Sequence, residues 1–497
     1  MTTLLGIDYG TSHIKSELFL PDGKQLARQS AQLEVNSPNP GWVEQDPEIG
    51  WRLVCSAIKA VLDQAGISPR DISAVTTTGT SNITLFDQAG RILRPAILYG
   101  DTRLPSREKI QTILSQLGEN RVGAAFGFTE VDDDKIAIIL RTLTTSKLLW
   151  ISENEANVFR QVKSCTSTGF DFINARLTGE ATYLADNYVL DQMIAELFQI
   201  PSAWFGRPCR VGEIVGVVSA EAAGQCSLLP GIPVVMGAGD SPCTFLGAGL
   251  SRPGMAINNA GTTDVVAVTT AGLKASQVGY PVPHLIPDLG LISLSPIRGP
   301  AHRWFRDLLL PPESSFADLD RLAALAPPGA EGLLCLPYFS GEKGLVHDPV
   351  ARGVIAGLSD YHSPAHLARS ILEGIAYGIR QILEAYQAEH HEFSEIRLTG
   401  GGARSTFWNQ MKANVLGRPV HILQIPETGC LGAALLSAVT LGYYPDIRSA
   451  CDAMVAVGTE ISPQPKESEI YNQTYPVYQS LYPANQAIFK SLSSIRT

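Results

Sequence analysis

The feature that most constrains the fold is a β-hairpin pattern that occurs twice, about half a chain apart. The first copy covers residues 4–19, as an apolar strand, a turn at residues 8–12 and a second strand. The second copy covers residues 255–268 and turns at residues 260–264. Both turns carry glycine and hydroxyl residues, which tight hairpin connections favour. Two copies of one unit predict two similarly built halves.

The rest of the pattern predicts an α/β protein of two domains. A chain of 497 residues is too long for one compact core. Helical and strand-like stretches alternate around the hairpins, as in α/β folds. We place the domain boundary near residue 248, which gives domains 1–248 and 249–497, and expect a loose tail after Lys490. The predicted helices cover residues 51–65 and 371–386, and the predicted strands residues 72–77, 230–236 and 396–399.

Composition excludes several classes of partner. A net charge of −10 argues against nucleic acids and anionic membrane surfaces, although an anionic substrate needs only a local patch of donors. We expect no transmembrane segment, since no apolar run approaches the roughly 18 residues that one requires, and no secretory signal. The eight cysteines form no CxxC pair, so we expect reduced thiols and a cytoplasmic protein.

The two hairpin turns have the composition of phosphate-binding turns. The turn at residues 8–12 offers consecutive backbone N–H groups, two hydroxyls and Lys15 shortly after it. Asp8 could hold Mg²⁺ through water, because Mg²⁺ keeps several waters and uses few carboxylates. The turn at residues 261–263 could bind the same phosphates from the other domain. For either turn alone a plain hairpin connection is the simpler explanation, whereas the pair favours phosphate binding.

A glycine run at residues 400–402 follows a predicted strand and precedes a predicted helix. Glycines at such a position let a flat base or a phosphate approach the backbone closely. A tight strand-to-helix turn explains the same residues. The run is not a GxGxxG fingerprint and the chain has no GxxxxGK[ST] loop, so the dinucleotide-binding and P-loop classes lack their motifs.

Asp240 stands at the end of an apolar strand among small residues. A carboxylate with open space in front of it suits a general base. An aspartate before Ser241 and Pro242 also suits a helix N-cap. The local sequence leaves both roles open.

Eight segments occur in one order along nearly the whole chain. They cover residues 6–12, 41–47, 94–103, 147–150, 230–240, 340–353, 400–405 and 432–434. Among them are GWVEQDP, RPAILYGDTR and KLLW. Together these segments resemble the FGGY carbohydrate kinases, and most closely their xylulokinase-like branch.

The resemblance implies a two-domain actin-like ATPase fold, which is ribonuclease H-like, with an active-site cleft between the domains. The N-terminal domain would bind the sugar and carry the first phosphate turn and the catalytic aspartate. The C-terminal domain would carry the second phosphate turn and the adenosine site. Asp240 would be the catalytic base, and Asp8 and Asp240 would bind Mg²⁺ mainly through water. The residues implied in ATP binding are Asp8, Thr11, Ser12, Lys15, Thr262, Thr263, Gly299, Gly401, Gly402 and Ala403.

The sugar pocket departs from the family pattern. The residues implied in substrate binding are Thr80, Ser81, Tyr99, Asp101 and Asp240. Relatives usually carry a Gly-Gln-Met-His-like stretch where this chain has residues 78–82, and a tryptophan at the position of Tyr99. Short hydroxyls replace longer groups there. A site rejects a substrate that leaves the buried polar groups of the site unpaired, so such changes can redirect specificity.

The expected function is the ATP-dependent transfer of a phosphoryl group to a hydroxyl of a small sugar, with a ketopentose such as D-xylulose favoured. Two alternatives stay open: a kinase of another pentulose or polyol, such as ribulose or a glycerol-like compound, and a nucleotide-binding homologue without sugar kinase activity. The expected partner is the small-molecule sugar, with neither nucleic acid nor membrane. A homodimer is one possible assembly.

Overall fold

The computed structural model describes residues 2–124, 133–185, 188–261, 264–295, 301–342 and 344–495. The strands up to residue 251 are β1 Thr3–Tyr9, β2 His13–Phe19, β3 Gln25–Gln32, β4 Glu44–Gln45, β5 Ile72–Gly79, β6 Ser81–Phe86, β7 Ala96–Leu98, β8 Ser164–Thr168, β9 Thr182–Leu184, β10 Arg207–Cys209, β11 Ile214–Val217 and β12 Pro233–Val235. The helices in the same part are α1 Pro47–Ala65, α2 Arg107–Leu117, α3 Glu119–Ala124, α4 Asp133–Thr142, α5 Thr144–Asn154, α6 Ala156–Phe159, α7 Gly169–Thr178, α8 Val189–Leu197, α9 Ala220–Cys226 and α10 Asp240–Gly247.

The second part of the chain continues the mixture of strands and helices. Its strands are β13 Met255–Ala260, β14 Asp264–Ala271, β15 Tyr280–Pro283, β16 Leu289–Leu294, β17 Leu334–Leu336, β18 Val354–Ala356, β19 Glu395–Thr399, β20 Val420–Leu423 and β21 Val457–Ile461. Its helices are α11 Ala301–Leu309, α12 Phe316–Ala323, α13 Pro364–Ala388, α14 Thr406–Leu416, α15 Gly429–Thr440, α16 Ile447–Met454 and α17 Pro465–Ile495. The predicted α/β class is confirmed.

Contacts divide the chain into two compact units. The first comprises Met1–Ser251 and Thr428–Val455, and the second comprises Arg252–Glu427 and Ala456–Thr497. The chain therefore changes unit close to the expected boundary at residue 248. The expected division placed α15 and α16 in the C-terminal half, whereas by contact they belong to the first unit. The reason is that α15 is buried along most of its length and packs on α10, β1 and β5.

The first unit is built on a six-stranded sheet in the order β11-β12-β5-β1-β2-β3. Strand β1 pairs antiparallel with β2 and parallel with β5. Helix α1 covers this sheet and begins at Pro47, four residues before the predicted start, because the Asp46 side chain caps it by accepting from the N–H of Glu48 at 2.8 Å. A smaller sheet, β4-β7-β6-β8, carries the segments expected to bind the sugar.

The second unit repeats this plan in a seven-stranded sheet, β15-β16-β14-β13-β19-β20-β21. Strand β13 pairs antiparallel with β14 and parallel with β19, as β1 does with β2 and β5. The two hairpins thus occupy equivalent positions in two sheets, which confirms the duplication inferred from the sequence. It also makes the end of β5 at Gly79 equivalent to the end of β19 before Gly400.

Other predicted elements differ in their bounds. The strand before Asp240 is shorter than predicted, because only Pro233–Val235 is paired in the sheet. The loose tail expected after Lys490 is wrong up to Ile495, since α17 continues to that residue. Within the described ranges, every helix is too short or too polar to cross a membrane.

Candidate active site

The turn between β1 and β2 presents two unused backbone donors. The N–H of Gly10 donates to the carbonyl of His13 at 3.0 Å, which closes the turn around Thr11 and Ser12. The N–H groups of Thr11 and Ser12 donate to no other group among the described residues. Both residues are half-buried. Adjacent free N–H groups in a turn form a concave site for an anion.

Asp8, the penultimate residue of β1, lies beside this turn. It is the cross-strand partner of Lys15, whose Nζ is 3.2 Å from Asp8 Oδ2. The start of α15 borders the same carboxylate, since a Cβ on Gly429 would lie 3.4 Å from Oδ2. A helix N-terminus favours negative charge. Asp8 Oδ1 is buried and has no hydrogen-bond partner within the described ranges, which leaves it available to water or a cation.

The backbone before Asp240 is held tightly against β5. A Cβ on Gly237 would lie 1.8 Å from the carbonyl oxygen of Thr77, so only glycine fits there. Gly239 bridges Gly79 in parallel register. Helix α10 then begins at Asp240, with Gly239 as its N-cap. The N-cap alternative for Asp240 is therefore wrong, and its carboxylate accepts instead from the N–H of Ser241 at 2.7 Å.

The electrostatic environment of Asp240 suits proton transfer near neutral pH. The side chain is accessible to solvent, yet the protein around it removes much of its hydration. This desolvation, followed by the negative charge of Asp8, raises the pKa of Asp240 to about 6. Hydrogen bonds from Ser241 and the positive charge of Lys15 oppose that rise. A carboxylate with such a pKa is ionised at pH 7 and still basic enough to accept a proton.

Asp8 and Asp240 are the carboxylates expected to hold Mg²⁺, and their surroundings fit that ion. The negative charge of Asp8 acts on Asp240, and Asp8 Oδ1 has no protein donor among the described residues. In the part of the chain that the structure describes, no three His, Cys, Asp or Glu side chains form a metal-binding group. A pair of carboxylates suits Mg²⁺, which retains most of its waters.

Three of the residues expected at the sugar lie next to this site. Thr80 follows Gly79, and its N–H donates to the carbonyl of Tyr9 at 3.1 Å. Ser81 begins β6, and its carbonyl accepts from the N–H of Tyr99 at 3.1 Å. The Tyr99 side chain is 54% exposed. Since Gly79 pairs with Gly239, the structure brings Thr80 and Asp240 to neighbouring strand ends.

Asp101 has a different environment from the other expected sugar ligands. It is fully buried, and its oxygens accept from Arg103, from the N–H of Val43 at 2.8 Å and from Lys147 at 3.3 Å. Arg103 also donates to Glu44 at 2.8 Å. A sugar hydroxyl would have to displace one of these donors. This environment favours a role in holding β4 over direct sugar contact, which stays a prediction.

Gln45 is a residue for which no role was predicted from the sequence. It is fully buried on β4, and its Nε2 donates to the carbonyl of Thr11 while its Oε1 accepts from Asn82 at 3.3 Å. Gln45 thus connects β6 to the first phosphate turn. The sequence signal that could have identified Gln45 is its position in the GWVEQDP segment. The corresponding signal for Lys147 is its position in the KLLW segment.

The glycine run in the second unit packs against the end of β13. Gly400 has a φ of +80°, and a Cβ there would lie 2.6 Å from the carbonyl oxygen of Ala260. A Cβ on Gly402 would lie 2.8 Å from the Trp408 ring, whereas Gly401 faces open space. Ala403 is buried, and its carbonyl accepts from Asn409 at 2.7 Å. The exposed backbone at Gly401 leaves room for a flat ligand.

Three expected nucleotide-binding residues, Thr262, Thr263 and Gly299, lie outside the described residues. Their roles stay predictions. The strands that flank the second turn end at Ala260 and begin at Asp264, and these two residues are paired. Because Ala260 also contacts the glycine run, the two expected nucleotide segments of this unit meet at β13.

Comparison with known families agrees with this arrangement. Residues 3–247 match the N-terminal domain of the FGGY family of carbohydrate kinases, and residues 256–441 match its C-terminal domain. The chain belongs to the FGGY family of carbohydrate kinases. The family resemblance inferred from the sequence is thereby confirmed.

Similar members of the FGGY family extend over nearly the whole chain. A xylulose kinase of Escherichia coli K12 is 30% identical over 456 residues, which is 88% of this chain and 89% of that protein. A xylulose kinase of Staphylococcus epidermidis is 27% identical over 509 residues, 99% of each chain. The crystal structure of xylulose kinase from Rhodospirillum rubrum superposes with a TM-score of 0.78 at 30% identity, covering 98% of this chain and all of that one. The predicted two-domain, actin-like fold is confirmed.

Proposed function

We propose that this FGGY-family protein transfers the γ-phosphoryl group of ATP to a hydroxyl of a small ketose, with a ketopentose such as D-xylulose as the favoured substrate. One observation carries the proposal. The first unit gathers a carboxylate of raised pKa, Asp240, beside a carboxylate–lysine pair and a turn with two N–H donors that have no acceptor among the described residues. Phosphoryl transfer requires a base on the acceptor hydroxyl and donors on the phosphates.

The proposed reaction is a direct in-line displacement. The sugar hydroxyl gives its proton to Asp240, and the hydroxyl oxygen forms a bond to the γ-phosphorus. The bond from that phosphorus to the β,γ-bridging oxygen breaks, and ADP leaves with the electron pair. The N–H groups of Thr11 and Ser12 and the ammonium of Lys15 stabilise the phosphate charge. No cofactor besides ATP and Mg²⁺ is needed to balance the step.

Asp8 and Asp240 would hold Mg²⁺, mainly through its water ligands. When bound, the ion neutralises phosphate charge as the bond to the leaving group breaks. Asp8 Oδ1, which has no hydrogen-bond partner in the described part of the chain, supports this assignment. Lys15 keeps the other Asp8 oxygen oriented, at 3.2 Å.

Thr80, Ser81 and Tyr99 are the residues that we expect to set the choice of sugar. Thr80 is held by its backbone to Tyr9 and to Gly169, so its position is fixed while its short side chain leaves space. Tyr99 is the large exposed group at this edge. A pocket with short hydroxyls accepts substrates that longer side chains would reject. Ribulose-like pentuloses and glycerol-like polyols are therefore the alternatives within this function.

A panel of sugars measured for ADP release tests the proposal. Pentuloses, hexuloses and polyols are each supplied with ATP and Mg²⁺, and the melting temperature of the protein is measured with each sugar and a nonhydrolysable ATP analogue. We expect one group of ketoses to release ADP and also to raise the melting temperature, because binding to the native state stabilises it. If no sugar causes ADP release although ATP still binds, the result would favour a nucleotide-binding homologue without sugar kinase activity.

We also propose a cytoplasmic location. All eight cysteines are buried free thiols, a state that a reducing compartment maintains. A homodimer stays an expectation that sedimentation of the purified protein would test.

A further inference from the structure

Lys412 is a fully buried lysine on α14, at 1% exposure. Charged side chains are seldom buried to this extent unless they are paired. Its Nζ donates to Asn258 Oδ1 at 2.7 Å and lies 3.7 Å from the centre of the Trp408 ring. Burial lowers the pKa of Lys412 to about 8, and the negative charge of Asp264 opposes that change.

The partners of Lys412 lie next to the two expected nucleotide segments of the second unit. Asn258 lies on β13, and its amide also donates to Asp264, the first residue of β14. These two side chains therefore join the strands of the hairpin next to its turn. Trp408 lies beneath the glycine run, since a Cβ on Gly402 would come within 2.8 Å of its ring. Lys412 is thus in contact with the support of each segment.

A buried cation with these contacts restricts both segments at once. The hydrogen bond to Asn258 fixes the amide that links β13 and β14, and the cation–π contact fixes the Trp408 ring under Gly402. A neutral side chain of similar length would fill the same volume and make neither interaction. Position 412 therefore requires a positively charged donor, and a side chain that only fills the same volume is not sufficient.

We propose that Lys412 is a positioning residue for ATP, which holds the second hairpin and the glycine run in the spacing that the nucleotide requires. This inference rests on the proposed function and on the expectation from the sequence that the second hairpin binds phosphates and the glycine run binds adenosine. Lys412 acts through Asn258 and Trp408 and does not itself touch the reacting atoms. Its loss should weaken nucleotide binding and leave sugar binding in the first unit unchanged.

The variant Lys412→Met tests the proposal, with Lys147→Met as a matched control. Lys147 is equally buried and its pKa is also lowered to about 8 by burial, but it lies in the first unit beside Asp101. Affinity for a fluorescent ADP analogue, the KM for ATP, the KM for the sugar and the melting temperature are measured for both. We expect Lys412→Met to raise the dissociation constant and the ATP KM about tenfold, as for residues coupled in one network, with the sugar KM unchanged. Lys147→Met should lower the melting temperature without changing nucleotide affinity.

A second variant separates positioning from stability. Combining Lys412→Met with Asp264→Asn removes both charges of the interacting pair, so the melting temperature should recover while nucleotide affinity stays reduced. If Lys412→Met alone does not fold, the double variant is used in its place for the nucleotide-affinity measurement. Wild-type affinity in Lys412→Met, or affinity that recovers together with the melting temperature in the pair, would overturn the proposal. A wild-type protein that binds no nucleotide would instead contradict the proposed function.

Discussion

Replacing Asp240 by asparagine should abolish activity and at the same time stabilise the protein at neutral pH. The substitution keeps the size of the side chain and removes the charge. Asp240 is not the N-cap of α10, which is Gly239, so no helix cap is lost. Removing a general base costs ~10²–10⁴ in rate. If Asp240 instead had a structural role, its replacement by asparagine would destabilise the protein.

The stabilisation can be worked out from the pKa of Asp240. Its ordinary value of 3.8 rises to about 6 in the folded protein. A carboxyl group whose pKa is raised on folding destabilises the native state when it is ionised, above both values, and has no effect below pH 3.8. At about 1.4 kcal/mol for each pH unit, the upper bound is about 3 kcal/mol. Because the side chain is accessible to solvent, screening reduces this to about 1 kcal/mol.

Thermal unfolding of the wild type and of Asp240→Asn at several pH values is the assay. At pH 7 the variant should melt about 2 °C higher than the wild type. The difference should shrink as the pH falls through about 6 and vanish only below pH 3.8, where the carboxyl group is protonated in both the folded and the unfolded wild type. A lower melting temperature for the variant at pH 7, or a difference that does not change with pH, would refute the assigned electrostatic environment. Full activity in the variant would refute its role as the base.

Three further predictions concern the pH profile and the two units. The value of kcat/KM should fall tenfold per pH unit below about pH 6, because protonated Asp240 cannot accept a proton, and a profile flat to pH 5 would contradict this. Arg103→Met should destabilise the first unit by about 3 kcal/mol in urea unfolding, since it leaves Asp101 buried with fewer partners; a neutral effect would show that Lys147 alone suffices. Gly400→Ala should weaken ADP binding in calorimetry, because its φ of +80° and the nearby Ala260 carbonyl oppose a Cβ; unchanged affinity would show that the glycine run is only a turn.

The duplicated hairpins were predictable because their signals are local. Turn residues and alternating apolar strands lie within about 16 residues of one another in each copy, and the resulting strands are β1 with β2 and β13 with β14. Asp8 and Lys15 were predictable for the same reason, since a hairpin places them opposite each other. Asp240 was found as a strand-end carboxylate, but only the backbone geometry of Gly239 excluded the N-cap alternative.

The environment of Asp101 could not be predicted because its partners are distant in the sequence. Lys147 lies 46 positions away and Val43 lies 58 positions away. A carboxylate in a sugar-side motif suggests a ligand, whereas its burial depends on packing that no local pattern encodes. The packing of α15 in the first unit also could not be predicted from the sequence. Its helix is apolar on nearly every face, which predicts burial but does not identify the sheet that buries it.

Transfer of a labelled γ-phosphate from ATP to a sugar tests the central claim most directly. The wild type and Asp240→Asn are incubated with labelled ATP, Mg²⁺ and each ketopentose, and the products are separated by charge. The account predicts one labelled sugar phosphate in amounts equal to the ADP formed, and none with the variant. Label that appears only as inorganic phosphate, or equal sugar phosphate from both proteins, would contradict it.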